Sequence, residues 1–324
     1  MLSADRPIVL VTGACGYIGA QLIRDLAADP RMAGATVRVL DNLQGGRYES
    51  MMGLPSGVEY QFIEGDILDP AAVRLAMRDV DTVIHLAAIV RTPMSFQHPT
   101  WVEQVNHWGT ARLVESSLDA GVRRFIYASS ASVYGVGGPF KEGDACRPIG
   151  AYSQSKRGAE AAVLSAASRG LSPVVVRLGT AFGLGPVTRF DAVVNRFAWL
   201  AGVRRSLPVY GNGDQVRPFI HVADASGVLR FVMGRRDIHA QILNAVGVNA
   251  TVQDVVEVVR EVRPDISVHY TEQDVITHPS FEVDASLISS LGWSPSYTLH
   301  HGVQEITSRL GGLSRVGFDP VDVD

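Results

Sequence analysis

The string Thr12-Gly-Ala-Cys-Gly-Tyr-Ile-Gly19 constrains this chain more than any other feature. It stands between an apolar run, Ile8–Thr12, and a segment that carries Ile18, Leu22 and Leu26 at helical spacing. A strand that passes into a helix through three glycines has few solutions in space. Gly13 permits the tight turn, Gly16 lets the backbone approach a pyrophosphate, and Gly19 lets the helix pack closely on the strand. The helix start then offers unpaired N–H groups and the positive end of its dipole to phosphate. A cluster of turn glycines without a ligand is the plain alternative, and the strand-to-helix context weighs against it. Asp41 ends a second apolar run 22 residues beyond Gly19, close to the roughly 20 expected of a carboxylate that receives ribose hydroxyls. That carboxylate would repel a 2′-phosphate, so NAD is expected over NADP; Arg47 nearby argues the other way.

The alternation continues through the first half. Strand patterns follow at 36–40, 58–63, 80–86, 123–129 and 173–178, with helical patterns at about 100–120 and 151–168 closed by Gly121 and Gly170. This predicts an α/β fold with a parallel, doubly wound sheet. After Gly179 the elements become shorter and more mixed, punctuated by Gly183-Leu-Gly-Pro186 and Pro208-Val-Tyr-Gly-Asn-Gly213. The expected division is a dinucleotide-binding domain over 1–179, with returning segments at about 214–246, and a smaller, discontinuous mixed α/β substrate-binding cap over 180–324. A ligand should lie between them, at the carboxyl ends of the strands.

Charge and cysteine usage exclude some alternatives. A net charge of −4 gives no basic footprint, so nucleic acid is not an expected partner. No stretch approaches the roughly 20 apolar residues of a membrane span. The first residues lack the cationic-then-apolar pattern of a secretory signal. Cys15 and Cys146 form no C-x-x-C pair and no metal-ligand spacing, so no metal is expected. Two unpaired thiols fit a reducing compartment, and a cytoplasmic location is expected.

Tyr152-Ser-Gln-Ser-Lys156 sets Tyr and Lys one turn apart on one helix face. Such a pair alone is commonplace. Here it follows a Ser-rich strand end, Ser129-Ser-Ala-Ser-Val-Tyr134. A neighbouring ammonium favours the phenolate of Tyr152, which would make it a general base near neutral pH. Lys156 can also hold the nicotinamide ribose, and Ser130 can orient the reacting hydroxyl.

With these residues in place, the chain resembles the extended short-chain dehydrogenase/reductase family, in its NAD-dependent epimerase/dehydratase group, and most of all the UDP-glucose 4-epimerase-like branch. The resemblance is carried by Thr12–Gly19, Asp41–Leu43, Gly65–Ile67, His85–Ala88, Asn106, Gly109-Thr110, Ser129–Gly135, Tyr152–Lys156, Arg177–Gly183, Arg217–Asp224 and Leu291–Pro295. It implies a Rossmann fold and a bound NAD. The cofactor residues it implies are Gly13, Cys15, Gly16, Tyr17, Ile18, Gly19, Asp41, Asn42, Asp66, Ile67, Leu86, Ala87, Ala88, Asn106, Ser129, Tyr152 and Lys156. The catalytic set is Tyr152, Lys156 and Ser130. On the substrate side it implies Ser95, Ser130, Ser132, Thr180, Asn195, Val209, Tyr210 and Arg217, the last gripping a diphosphate. His98 is a further candidate beside the sugar, Arg189 and Arg204 are lesser ones, and His221 is read as a structural residue.

The implied partner is a nucleotide-diphosphate sugar, and the implied assembly is a homodimer joined through the 100–120 and 151–168 helices. Related dehydratases carry an Asp-Glu pair just after the catalytic Ser or Thr, because elimination needs an extra acid and base. This chain has Ala131 and Ser132 there. The expected activity is therefore epimerisation, most of all at C4. A nucleotide-sugar keto-reductase or dehydrogenase is the alternative, a 4,6-dehydratase or decarboxylase is less favoured, and a non-catalytic binding protein least. Thr180 and Ala151-Tyr-Ser153 stand where the 4-epimerases have Asn and Pro-Tyr-Gly, which leaves the base, the sugar and the epimerised carbon open.

Overall fold

The computed structural model describes residues 7–90, 96–271 and 280–310. Strands are β1 (Ile8–Thr12), β2 (Thr36–Asp41), β3 (Glu59–Glu64), β4 (Thr82–His85), β5 (Arg124–Ser130), β6 (Gly137–Phe140), β7 (Ser172–Leu178), β8 (Thr180–Phe182), β9 (Leu207–Tyr210), β10 (Val216–His221), β11 (Gln241–Ala245), β12 (Val248–Thr251), β13 (Val268–Thr271) and β14 (Phe281–Val283). Helices are α1 (Tyr17–Ala27), α2 (Pro70–Ala76), α3 (Pro99–Glu103), α4 (Thr110–Asp119), α5 (Gly150–Ser165), α6 (Val193–Gly202), α7 (Val222–Gly234), α8 (Val252–Val262), α9 (Ser286–Ser290) and α10 (Leu299–Arg309).

Seven strands form one parallel sheet in the order β11-β7-β5-β4-β1-β2-β3. The order steps outward from β1 in both directions, which makes the sheet doubly wound and opens a crevice between β1 and β4. The inner strands β1, β2, β5 and β7 are apolar and buried along nearly their whole length, as a sheet covered on both faces requires. One core lies under α1 and α7, around Leu22, Ile23, Val228 and Val232. The other lies under α2, α4 and α5, around Val73, Leu113, Ala159 and Val163. A third core, with Phe197, Leu207, Val256 and Val303, joins α6, α8 and α10 beyond the carboxyl ends of the sheet. There β12-β10-β8 and β13-β9 form small sheets of their own, so β11 returns to the main sheet while β10 does not.

Between α3 and α4, residues Gln104–Gly109 form a π-helical turn. The single helix expected at 100–120 therefore contains one widened turn that shifts the inward-facing register. No helix among the described residues is long and apolar enough to cross a membrane.

Candidate active site

A cleft of about 580 Å³ runs across the carboxyl ends of β1, β2, β4, β5 and β7. Its floor is the glycine loop. Gly13 has φ +71°, and a Cβ there would fall 2.5 Å from the Ala87 backbone nitrogen. A Cβ at Gly19 would fall 2.5 Å from both the Ala14 Cα and the Gly13 oxygen. These two glycines are thus demanded by close backbone approach. Gly16 differs: it N-caps α1, and its Cβ would meet only the Gly13 oxygen at 3.1 Å, occupying the cradle in front of the helix. No side chain caps α1, so its first N–H groups are left for an anion. The cradle fits a pyrophosphate.

Asp41 closes one end of this cleft. Its Oδ2 accepts the Cys15 N–H at 2.9 Å and its Oδ1 accepts the Leu43 N–H at 2.9 Å, which ties the glycine loop to the end of β2. The Asn42 amide donates to Asp66 Oδ2 at 2.8 Å, and Asp66 Oδ1 accepts the Leu68 N–H. Cys15, Tyr17, Ile18, Ile67, Leu86, Ala87, Ala88 and Arg47 also line the cleft. Tyr17 is nearly buried, and its hydroxyl donates to the Gly183 carbonyl.

Tyr152, Lys156, Ser129, Ser130, Thr180 and Arg189 line the other end. Ser130, the last residue of β5, stands near the Tyr152 phenol, and its hydroxyl shares a 2.9 Å contact with Ser132, which in turn meets Ser153 at 2.9 Å. Burial holds Tyr152 above the ordinary phenol range, while Ser130 and then the Arg189 guanidinium pull it back.

Arg189, which lines the same end, adds its positive charge to the surroundings of the phenol. Lys156 is directed across to β5, where Nζ donates to the Ala128 carbonyl at 2.8 Å. Burial pushes the Lys156 ammonium down to about 7, against an upward pull from Glu160. Its charge is therefore itself conditional.

Other residues stand behind the cleft. Asn106, in the π-helical turn, is buried; its Oδ1 accepts the Ile89 N–H at 2.8 Å and its Nδ2 donates to the Ile89 carbonyl at 3.0 Å and to Ser155 at 3.2 Å. It clamps the strand-to-loop exit of β4 and does not line the cleft. Glu160, which sequence reasoning missed, is fully buried and receives Arg177 at 2.9 and 2.7 Å, Ser129 at 2.6 Å and Arg157 at 3.1 Å. Its position one turn beyond Lys156 was the available signal, but spacing alone does not reveal a buried partner on β7.

The substrate-side residues separate. Tyr210 and Arg217 line a second cleft of about 200 Å³ with Phe197, Val252 and Arg196. Burial pushes Arg217 down to about 10. Asn195 and Val209 are fully buried and line neither cleft. The Asn195 amide accepts the Gly183 N–H at 2.8 Å and donates to the Arg189 carbonyl at 2.9 Å and to the Tyr17 hydroxyl at 3.1 Å. It braces the glycine loop against the segment that carries Arg189. Ser132 also lines neither cleft, reaching the site through Ser130. Ser95 lies outside the described residues. His98 is exposed and precedes α3. His221 caps α7, accepting the Ala223 N–H, and meets Glu305 at 2.8 Å. Among the described residues no group of His, Cys, Asp and Glu could hold a metal ion.

Known proteins share this fold and much of this sequence. Residues 9–246 match the NAD dependent epimerase/dehydratase family. A dTDP-D-glucose 4,6-dehydratase of Mus musculus is 28% identical over 92% of this chain and 86% of its own. A UDP-glucose 4-epimerase of Azospirillum brasilense is 29% identical over 93% of this chain and 91% of its own. Among solved structures, MoeE5 in complex with UDP-glucuronic acid and NAD is 30% identical, with a TM-score of 0.80 over 93% of this chain and 99% of the other. Epimerases and dehydratases thus stand equally near. The glycine cradle, the parallel sheet and the matched span lead to one conclusion: the chain belongs to the NAD dependent epimerase/dehydratase family.

Proposed function

We propose that the protein is a nucleotide-sugar epimerase that uses NAD catalytically, most of all at C4. One observation carries the choice within the family. Among the described residues, the only carboxylates lining the larger cleft are Asp41 and Asp66, both beside the glycine loop and both engaged with backbone N–H groups. The end that holds Tyr152, Ser130, Thr180 and Arg189 has none in its lining, and Asp191 behind it is paired with Arg189 Nε at 2.6 Å. Elimination of water needs an acid and a base beyond the group that ionises the reacting hydroxyl. Ala131 and Ser132 occupy the positions just after Ser130 and cannot do that proton work.

The glycine loop and α1 would hold the pyrophosphate of NAD, Asp41 a ribose, and Lys156 the second ribose. NAD, when bound, supplies reversible hydride exchange with a sugar carbon. Tyr152 Oη takes the proton of the reacting hydroxyl and later gives it back, so no net acid or base is consumed. Ser130 orients that hydroxyl, and Arg189 favours the phenolate. Arg217 and Tyr210 would hold the nucleoside diphosphate in the second cleft. A solved structure of 30% identity is in complex with UDP-glucuronic acid, which supports testing an acidic sugar beside the neutral hexoses. Trp108, exposed on the helical ridge of α3 and α4, supports a homodimer through that ridge and α5. Two free thiols support a cytoplasmic setting.

The test is incubation with UDP-, GDP-, CDP- and dTDP-sugars, UDP-glucuronic acid among them, with products followed by NMR. Isomer formation without net change at 340 nm supports the reading. A 4-keto-6-deoxy product would make the protein a dehydratase, and stoichiometric NADH change a reductase or dehydrogenase.

A further inference from the structure

Two of the 29 basic residues are lysines, Lys141 and Lys156; all the others are arginine. The chain thus keeps one lysine in its interior where it otherwise uses guanidinium. What surrounds that ammonium is unusual. No ion pair to Lys156 exists among the described residues. Its nearest partners are the Ala128 carbonyl at 2.8 Å and the ring of Tyr127, whose centroid lies 4.8 Å from Nζ.

Tyr127 is fully buried on β5, and its hydroxyl makes no well-formed hydrogen bond. The Thr110 hydroxyl lies beside it but is committed elsewhere: it donates to the Asn106 carbonyl at 2.7 Å and meets His85 Nε2 at 2.8 Å. Because that proton goes to Asn106, His85 Nε2 carries its own proton, and Nδ1 accepts from the Thr12 hydroxyl at 2.7 Å. His85 is thereby fixed in one neutral tautomer, and burial pushes it down to about 3. Its ring stacks on Tyr127 at 5.6 Å and 23°. A buried phenol with an orphaned hydroxyl would be costly if hydrogen bonding were its purpose. The ring is the part with a partner.

We propose that the Tyr127 ring is the seat of the Lys156 ammonium: a positioning residue that keeps Lys156 charged and aimed at the cleft through its aromatic face, not its hydroxyl. The other groups facing Lys156 do not replace it. Tyr152 and Glu160 share α5 with it. Glu160 pulls the ammonium upward through space but makes no contact with it, its oxygens being taken by Arg177 on β7 and by Arg157 and Ser129. His85 on β4 is neutral, and Arg189 across the cleft is a like charge. The aromatic face is the one attractive surface that a desolvated cation finds on β5 besides a carbonyl. The role of Lys156 in turnover rests on the function proposed above; the seat itself does not.

The scarcity of lysine makes the test direct. Protein carrying 13C-lysine shows two side-chain signals, and Lys141→Arg assigns them. The pH midpoint of the Lys156 signal is then read in variants. Tyr127→Phe should keep the wild-type midpoint. Tyr127→Leu should lower it by about one pH unit. Fluorinated phenylalanines at 127, which keep the shape and weaken the ring face, should lower it stepwise with fluorine count, and they serve where the Leu variant does not fold. Equal midpoints in the Phe and trifluoro-Phe proteins, or a shift in Phe as large as in Leu, overturn the proposal. In the variants that shift, the basic limb of kcat/KM should fall in step. A midpoint that moves in a protein that isomerises no sugar supports the seat and counts against the reaction.

Discussion

Glu160→Gln should destabilise the protein by about 3–5 kcal/mol. Glu160 and Arg177 are 0% and 1% exposed, and two N–H···O contacts of 2.9 and 2.7 Å join them. Glutamine keeps the shape and one acceptor, so little packing is lost. What changes is that the Arg177 guanidinium stays in the interior without its counter-charge, a cost that solvent does not relieve at this depth. Against a total stability of about 5–15 kcal/mol this is a large share, equivalent to a fall in Tm on the order of 10 °C. Urea unfolding followed by circular dichroism would read it as a lower midpoint at unchanged slope. Replacing both partners by methionine should recover most of the loss, because the uncompensated charge is then gone. A Gln variant within about 0.5 kcal/mol of wild type would refute the reasoning, since that is the range of a surface substitution. The same carboxylate holds Lys156 upward, so the Lys156 midpoint in Glu160→Gln should fall as well.

Three further outcomes follow from the cleft. Tyr152→Phe should lower kcat by about 10²–10⁴-fold, with the NAD dissociation constant unchanged by fluorescence titration, because the phenol oxygen moves the proton without closing the cradle. Asp41→Ala should relax discrimination against NADP in competitive binding, since a charge that repels a 2′-phosphate is removed; unchanged discrimination would remove Asp41 from the ribose. Arg189→Gln should move the acid limb of the kcat/KM profile to higher pH, because the cation that favours the Tyr152 phenolate is lost; a limb at the wild-type position would leave Arg189 no part in ionising Tyr152.

Much of the sheet was legible in the sequence. A strand buried on both faces carries a run of branched apolar residues, so β1, β2, β5 and β7 stand within a residue or two of where periodicity places them. The glycine loop was legible because backbone clash leaves no other residue at positions 13 and 19. The π-helical turn at Gln104–Gly109 was not, because one extra residue in a turn alters register without altering composition. β11 escaped notice since Gln241-Ile-Leu-Asn-Ala is short and unremarkable apart from its pairing to β7. At the site, the spacing of Tyr152 and Lys156 fixes a shared face but not where a flexible four-carbon chain ends. Lys156 ends on Ala128, and Arg189, which lines the same end of the cleft as Tyr152, comes from 37 residues further along the chain than that tyrosine. Side chains brought together by a crossover of the chain leave no local pattern to find.

The central claim is that one hydrogen leaves a sugar carbon and returns to it without exchange with water. Interconversion of a nucleotide sugar in D₂O, followed by NMR and mass spectrometry, tests that directly. Isomerisation with the carbon-bound hydrogen retained and no deuterium in the product is the predicted result. Deuterium on the sugar carbons, or a deoxy-keto product, would show that carbon–proton chemistry takes place in a site where no carboxylate has been placed to perform it.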